Sequence, residues 1–180
     1  MFDIRKIQEL VIFDAVKNAS DDKMATKIVY GEHELFSSED NATWVKFTMN
    51  RLESNFDRST VKQIRMNCQC GKDEKLAFVQ ELVASSSNFE EFANLDKAKA
   101  AGLSYTNREL YLQFPLCPCP MLADVVKLDM DTWCQCTTGY SKVLFEKAFG
   151  CEVVVELLKS IKMGDDICLM KIIPRGSIWK

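Results

Sequence analysis

Apolar positions in the first hundred residues recur at helical spacing. Ile4, Ile7, Leu10 and Val11 predict a helix over 3–17. Lys27, Ile28, Val29 and Tyr30 read as a short strand closed by Gly31, and Ser37 to Asp40 as a loop. Asn41 is a candidate N-cap for a helix presenting Trp44, Phe47, Leu52 and Phe56; Ser59 is one for a short helix with Val61, Ile64 and Cys68 inward. Leu76, Val79, Leu82 and Val83 share one face of a helix over 73–84. A further helix starts at Asn88, carries Phe89, Phe92 and Leu95, and ends near Gly102. The second half alternates instead. Leu103 to Tyr105 and Glu109 to Phe114 predict a hairpin around Thr106, Asn107 and Arg108, followed by a proline-rich loop over 114–121. A helix over 137–149 buries Tyr140, Val143, Leu144 and Ala148 and stops at Gly150. A second hairpin joins 153–158 to 167–172 across Met163, Gly164, Asp165 and Asp166. These elements define an α+β class in which helices cover an antiparallel sheet. Residues 1–40 form an N-terminal helical appendage to a cysteine-rich domain over 41–180.

With 180 residues, 47% of them hydrophobic and 27% charged, the chain can bury a core without disulfides. The formal charge is -3, and no basic run is present. A general nucleic-acid or anionic-membrane binder is therefore not expected. Charged residues interrupt the first sixteen positions, which argues against a signal peptide. The uncharged run 110–123 is too short and proline-broken to span a bilayer. A cytoplasmic location follows as the expectation, and there cysteines are thiols rather than disulfides.

The chain holds 8 cysteines. Six form three Cys-x-Cys pairs: Cys68 with Cys70, Cys117 with Cys119, and Cys134 with Cys136. One intervening residue in a bend can aim both sulfurs at one centre, and thiolate is a soft ligand for zinc or an iron–sulfur cluster. Prolines around Cys117 and Cys119 remove backbone freedom before a ligand arrives. A helix start at Cys134 and Cys136 is expected to lower their thiol pKa. Cys151 and Cys168 fall on strands and read as core residues. His33 is the single histidine, in an exposed Glu-His-Glu context, so a Cys–His pair or a Ser-His-Asp triad would have to use it. No P-loop or dinucleotide fingerprint occurs. Asp165 and Asp166 read as turn residues, and Phe89 and Phe92 as core. Tyr140 and Glu156 are candidates for a ligand pocket, against core packing and surface exposure.

Trp133-Cys134-Gln135-Cys136, Gly139-Tyr140, Phe145-Glu146, Phe149-Gly150, Val155-Glu156 and Gly164-Asp165-Asp166-Ile167-Cys168 follow a familiar order. This stretch resembles the C-terminal part of 4-vinyl reductase-like domains, small ligand-binding modules also found in phenol-sensing bacterial regulators. The resemblance implies zinc ligands at Cys134 and Cys168. Departures are clear: the family's intermediate Cys falls at Ser160 and its acidic ligand at Leu157. A remaining site would then draw on Cys136, Cys117, Cys119, Cys68 and Cys70. Residues 44–173 also look like a family of uncharacterised cysteine-rich bacterial proteins. The closing Gly-Asp-Asp-x-Cys hairpin is more weakly similar to amino-thiazoline carboxylate hydrolase-like proteins. The expected function is a thiolate metal-binding module, with zinc and a small-ligand pocket, in sensing or regulation. Its alternatives are a small-molecule hydrolase and an iron–sulfur or dithiol redox protein. The related domains often pair through their helices, which implies a homodimer.

Overall fold

Capping aspartates start the first four helices, where the chain supplies them ahead of apolar stripes. A computed structural model describes residues 3–31, 40–71 and 73–179. Asp3, Asp21, Asp40 and Asp57 accept from backbone N–H groups at α1 (Ile4–Ala19), α2 (Asp22–Tyr30), α3 (Asn41–Asn55) and α4 (Arg58–Met66). The caps of α3 and α4 thus lie one and two residues before Asn41 and Ser59. The expected strand at Lys27 to Tyr30 is helix. Asp21 caps it, Ala25, Ile28 and Val29 form a buried i, i+3, i+4 face, and Gly31 ends it at φ 79°. His33 and most of the expected loop at 37–40 lie outside the described residues.

The chain divides into two units: Met1–Cys70 with Pro118–Gly139, and Gly71–Cys117 with Tyr140–Lys180. The first is helical. Residues read as an appendage are part of it: α1 packs on α2 and α4, and α2 packs on α3. Its interior holds Ile12, Val16, Ile28, Trp44, Leu52, Val61 and Ile64, closed by Met121, Leu122 and Trp133 from the returning segment. Trp44 and Trp133 meet edge to face at 5.7 Å, and Trp44 Nε1 donates to Val29 O at 3.0 Å.

The second unit carries α5 (Leu76–Ala84), α6 (Phe89–Asn94), α7 (Asp96–Ala100) and four antiparallel strands. Strands β1 (Leu103–Thr106), β2 (Glu109–Phe114), β3 (Val153–Lys159) and β4 (Cys168–Pro174) are ordered β1-β2-β4-β3. The fold is α+β. Asn107 and Arg108 turn the first hairpin, both at positive φ, the geometry that matches strand twist in a two-residue turn. The period-2 pattern buries Leu110, Leu112, Val153, Val155, Met170 and Ile172 on one face, with Leu110 opposite Ile172 and Leu112 opposite Met170. Val79, Leu82, Phe92, Ala98, Leu144, Phe145 and Phe149 cover that face. The helix expected from Asn88 to Gly102 is two, because Leu95 leaves helical geometry at ψ 136°. Gly102 at φ 86° is required: a Cβ there would lie 2.1 Å from Gln113 O. Helix α8 (Gln135–Phe149) begins in the first unit, and its later turns belong to the second.

Candidate functional site

The two units sort the seven candidate ligands. Cys68, Cys70, Cys119, Cys134 and Cys136 belong to the first, whereas Cys117 and Cys168 belong to the second. Cys168 is buried at the start of β4, and Cys151 is half-buried.

In the helical unit the spacer residues fix the pairs. Gln69, between Cys68 and Cys70, donates from Nε2 to Met66 O and Gly139 O, each at 3.2 Å. Gln135, between Cys134 and Cys136, is buried, accepts from Thr138 Oγ1 at 3.0 Å and donates to Asp131 Oδ2 at 3.3 Å. Close approach of α4 and α8 depends on Gly139, where a Cβ would fall 1.9 Å from Met66 O. Cys119 precedes the 3-10 turn Pro120–Leu122, which buried Met121 and Leu122 anchor.

Four sulfurs, of Cys68, Cys70, Cys119 and Cys136, lie near enough for the charge of one to act on another. Cys68 is buried just past α4, and its thiol donates to Ile64 O at 3.1 Å and to Val11 O of α1 at 3.6 Å. Burial raises its pKa, the Arg65 charge opposes that rise, and Cys70 adds to it. Half-buried Cys70 is also raised, first by burial and then by the charge of Cys119, with Gln8 and Arg65 acting the other way. Cys136 is pushed up to about 12 by burial, with Arg65 opposing and Cys119, Cys70 and Cys68 contributing. This corrects the expectation that a helix start would lower its pKa: in a dry interior, desolvation outweighs the helix dipole. Cys134 is half-buried in the 3-10 turn Asp131–Cys134 that leads into α8.

Two polar residues at this cluster escaped the sequence reading. Arg65 is fully buried over the Trp133 ring, 4.1 Å from its centroid, and Nη2 donates to Trp133 O at 3.0 Å. Its Nε and Nη1 have no hydrogen-bond partner among the described residues. Gln8 is fully buried on α1, and neither amide atom has a partner; the amide lies near Cys70 without a formed hydrogen bond. Both were visible as polar residues on apolar stripes, Gln8 between Ile4 and Ile12 and Arg65 between Val61 and Cys68.

As a donor set, four thiols beside a buried cation suit a soft or borderline metal. Among the described residues, no group of three or more His, Cys, Asp or Glu is drawn together closely enough to hold an ion as it stands. Coordination would require the sulfurs to lose their protons and close in. Of the pocket candidates, Tyr140 is half-buried against Gly71, and burial raises its pKa ahead of the charges of Glu74 and Asp73. Glu156 is exposed on the outer face of β3, opposite Lys171. A groove of about 340 Å3 in the first unit is lined by α3 residues such as Lys46 and Met49 and by 124–130; neither Tyr140 nor Glu156 reaches it. No helix among the described residues is long and apolar enough to cross a membrane.

Fold and site together define an α+β protein with a cysteine cluster in its helical unit. The chain belongs to the Family of unknown function (DUF6144), which it matches over residues 1–179. No curated protein matches it.

Proposed function

We propose that the helical unit is a thiolate metal-binding module, with Cys68, Cys70, Cys119 and Cys136 as ligands and zinc as the ion. The observation that supports this reading is that sulfurs from all three Cys-x-Cys pairs, remote in sequence, lie near one another and near the buried Arg65 cation. Raised thiol pKa values fit a site that ionises only when a divalent ion compensates the charge. Zinc accepts four sulfurs in a tetrahedral arrangement without redox chemistry, and such a site supports the fold. A sensing or regulatory role, with a small-molecule ligand, is the part of this proposal that rests on the resemblance alone.

The test is metal and acid-labile sulfide analysis of the full chain purified without oxygen. About one zinc per chain and no visible absorbance is the expected result. Chelation should then lower the melting temperature, because an ion present at about 1,000 times its Kd contributes about 4 kcal/mol to the folded state. Cys136→Ser and Cys119→Ser should each lower metal content, and Cys151→Ser should not. Iron with sulfide would replace zinc with a redox centre. Absence of any metal, with unchanged melting in added zinc, would end the metal reading.

A further inference from the structure

We infer that Gln8 and Arg65 are the outer-sphere donors of this centre: Arg65 balances the charge of the metal thiolates, and both residues hydrogen-bond their sulfurs. The inference rests on the proposed metal site and adds residues that are not ligands. A buried guanidinium without a counter-anion is costly, and among the described residues no carboxylate pairs with Arg65. It lies over the Trp133 ring, bonds one carbonyl and sits beside Cys68, and its Nε and Nη1 have no hydrogen-bond partner among the described residues. A buried amide with both ends unpartnered is equally unusual.

Local geometry brings both groups near the cysteines, Arg65 beside Cys68 and Gln8 beside Cys70. Arg65 is one helical turn before Cys68. Its bond to Trp133 O ties it to the backbone next to Cys134 and three residues before Cys136. The thiol of Cys68 donates to Val11 O, one turn along α1 from Gln8. Four thiolates on a divalent ion carry a double negative charge, half of which Arg65 would offset. Each thiolate keeps lone pairs able to accept N–H bonds, and such partners orient metal ligands and tune their basicity. The open N–H donors of Gln8 and Arg65 therefore have the sign that thiolate acceptors require.

The test uses full-length wild type, Gln8→Met and Arg65→Lys, each titrated with zinc against a chromophoric chelator, alongside melting of the metal-free chains. Gln8→Met removes an unpartnered amide and keeps its volume. Its metal-free chain should melt at or above the wild-type temperature, and its zinc affinity should fall about tenfold. A merely structural glutamine would lower both or neither. Arg65→Lys keeps the charge but loses the planar fork, and it should lose affinity by a similar factor. Folded Gln8→Met with wild-type zinc affinity overturns the Gln8 assignment whatever Arg65→Lys does. Wild-type affinity in folded Arg65→Lys overturns the donor role of Arg65. A wild-type chain that takes no zinc overturns the metal site itself, a result distinct from either.

Discussion

The two units bury different things. In the sheet-bearing unit, the buried polar residues among those described are Ser141, which contacts Met170 Sδ at 3.7 Å, and Ser160, whose N–H donates to Asp165 at 2.7 Å. Everything else in that interior is hydrocarbon, aromatic ring or sulfur, with Phe89, Phe92, Phe145 and Phe149 in edge-on or tilted contact. The helical unit buries Gln8, Thr48, Arg65, Thr132, Gln135 and Thr138, and leaves atoms of Gln8, Arg65 and Trp133 without partners. One interior is complete as an apolar core. The other gives up packing enthalpy for polar groups, a local conflict of the kind proteins keep at functional sites.

That contrast predicts where stability depends on metal. Phe92→Ala opens a cavity in the sheet-bearing core and should cost about 3–5 kcal/mol. Denaturant melts with and without chelator should give the same loss; a loss that grows on chelation would show that the two interiors are energetically linked. Gly139→Ala tests the helical unit. Its Cβ meets backbone at 1.9 Å, so α4 and α8 must separate, at a cost of about 1–3 kcal/mol. Because Gln69 bridges Met66 O and Gly139 O, that shift also displaces the Cys68–Cys70 turn. Zinc affinity should therefore fall together with stability, and normal affinity in the destabilised variant would detach the turn from the centre.

The sequence was legible where burial follows a simple period. Both hairpins, α1, α5 and α8 are read from alternation or helical spacing, since the side chains that define each face the apolar interior of its own unit. At Lys27 to Tyr30 two β-branched residues suggest a strand, but Asp21, Ala25 and Gly31 make a helix. The cysteine pairs were visible, and their division between the units was not. That division depends on residues 118–139 returning to the first unit, a long-range choice without a local signal. Arg65 and Gln8 give no local signal of a role, because each sits among apolar neighbours that satisfy the pattern without it.

The smallest expected effect lies at the helix caps, and it should again separate the units. Helices α1 to α4 all begin on an aspartate, whereas α6 begins on Asn88 and α5 and α7 have no side-chain cap. Bonds from the Thr60 hydroxyl and backbone N–H hold Asp57 below the usual carboxylate range, and the Thr43 backbone and hydroxyl do the same for Asp40. A carboxyl depressed in the folded state adds stability above its unfolded pKa, and that stability is lost as pH falls through the folded value. Acid below about pH 4 should therefore loosen α3 and α4 first. Glu109 and Asp166 of the second unit are depressed too, by Lys171 and Lys159, but ion pairs that reach solvent are screened by salt. Hydrogen exchange at moderate salt should show α3 and α4 amides accelerating in acid while β2 and β4 stay protected. Asp40→Asn with Asp57→Asn keeps the caps and removes the titration, because asparagine caps nearly as well as aspartate. Acid sensitivity of α3 and α4 should shrink in that double variant. If it persists unchanged, another group sets the acid response of the helical unit.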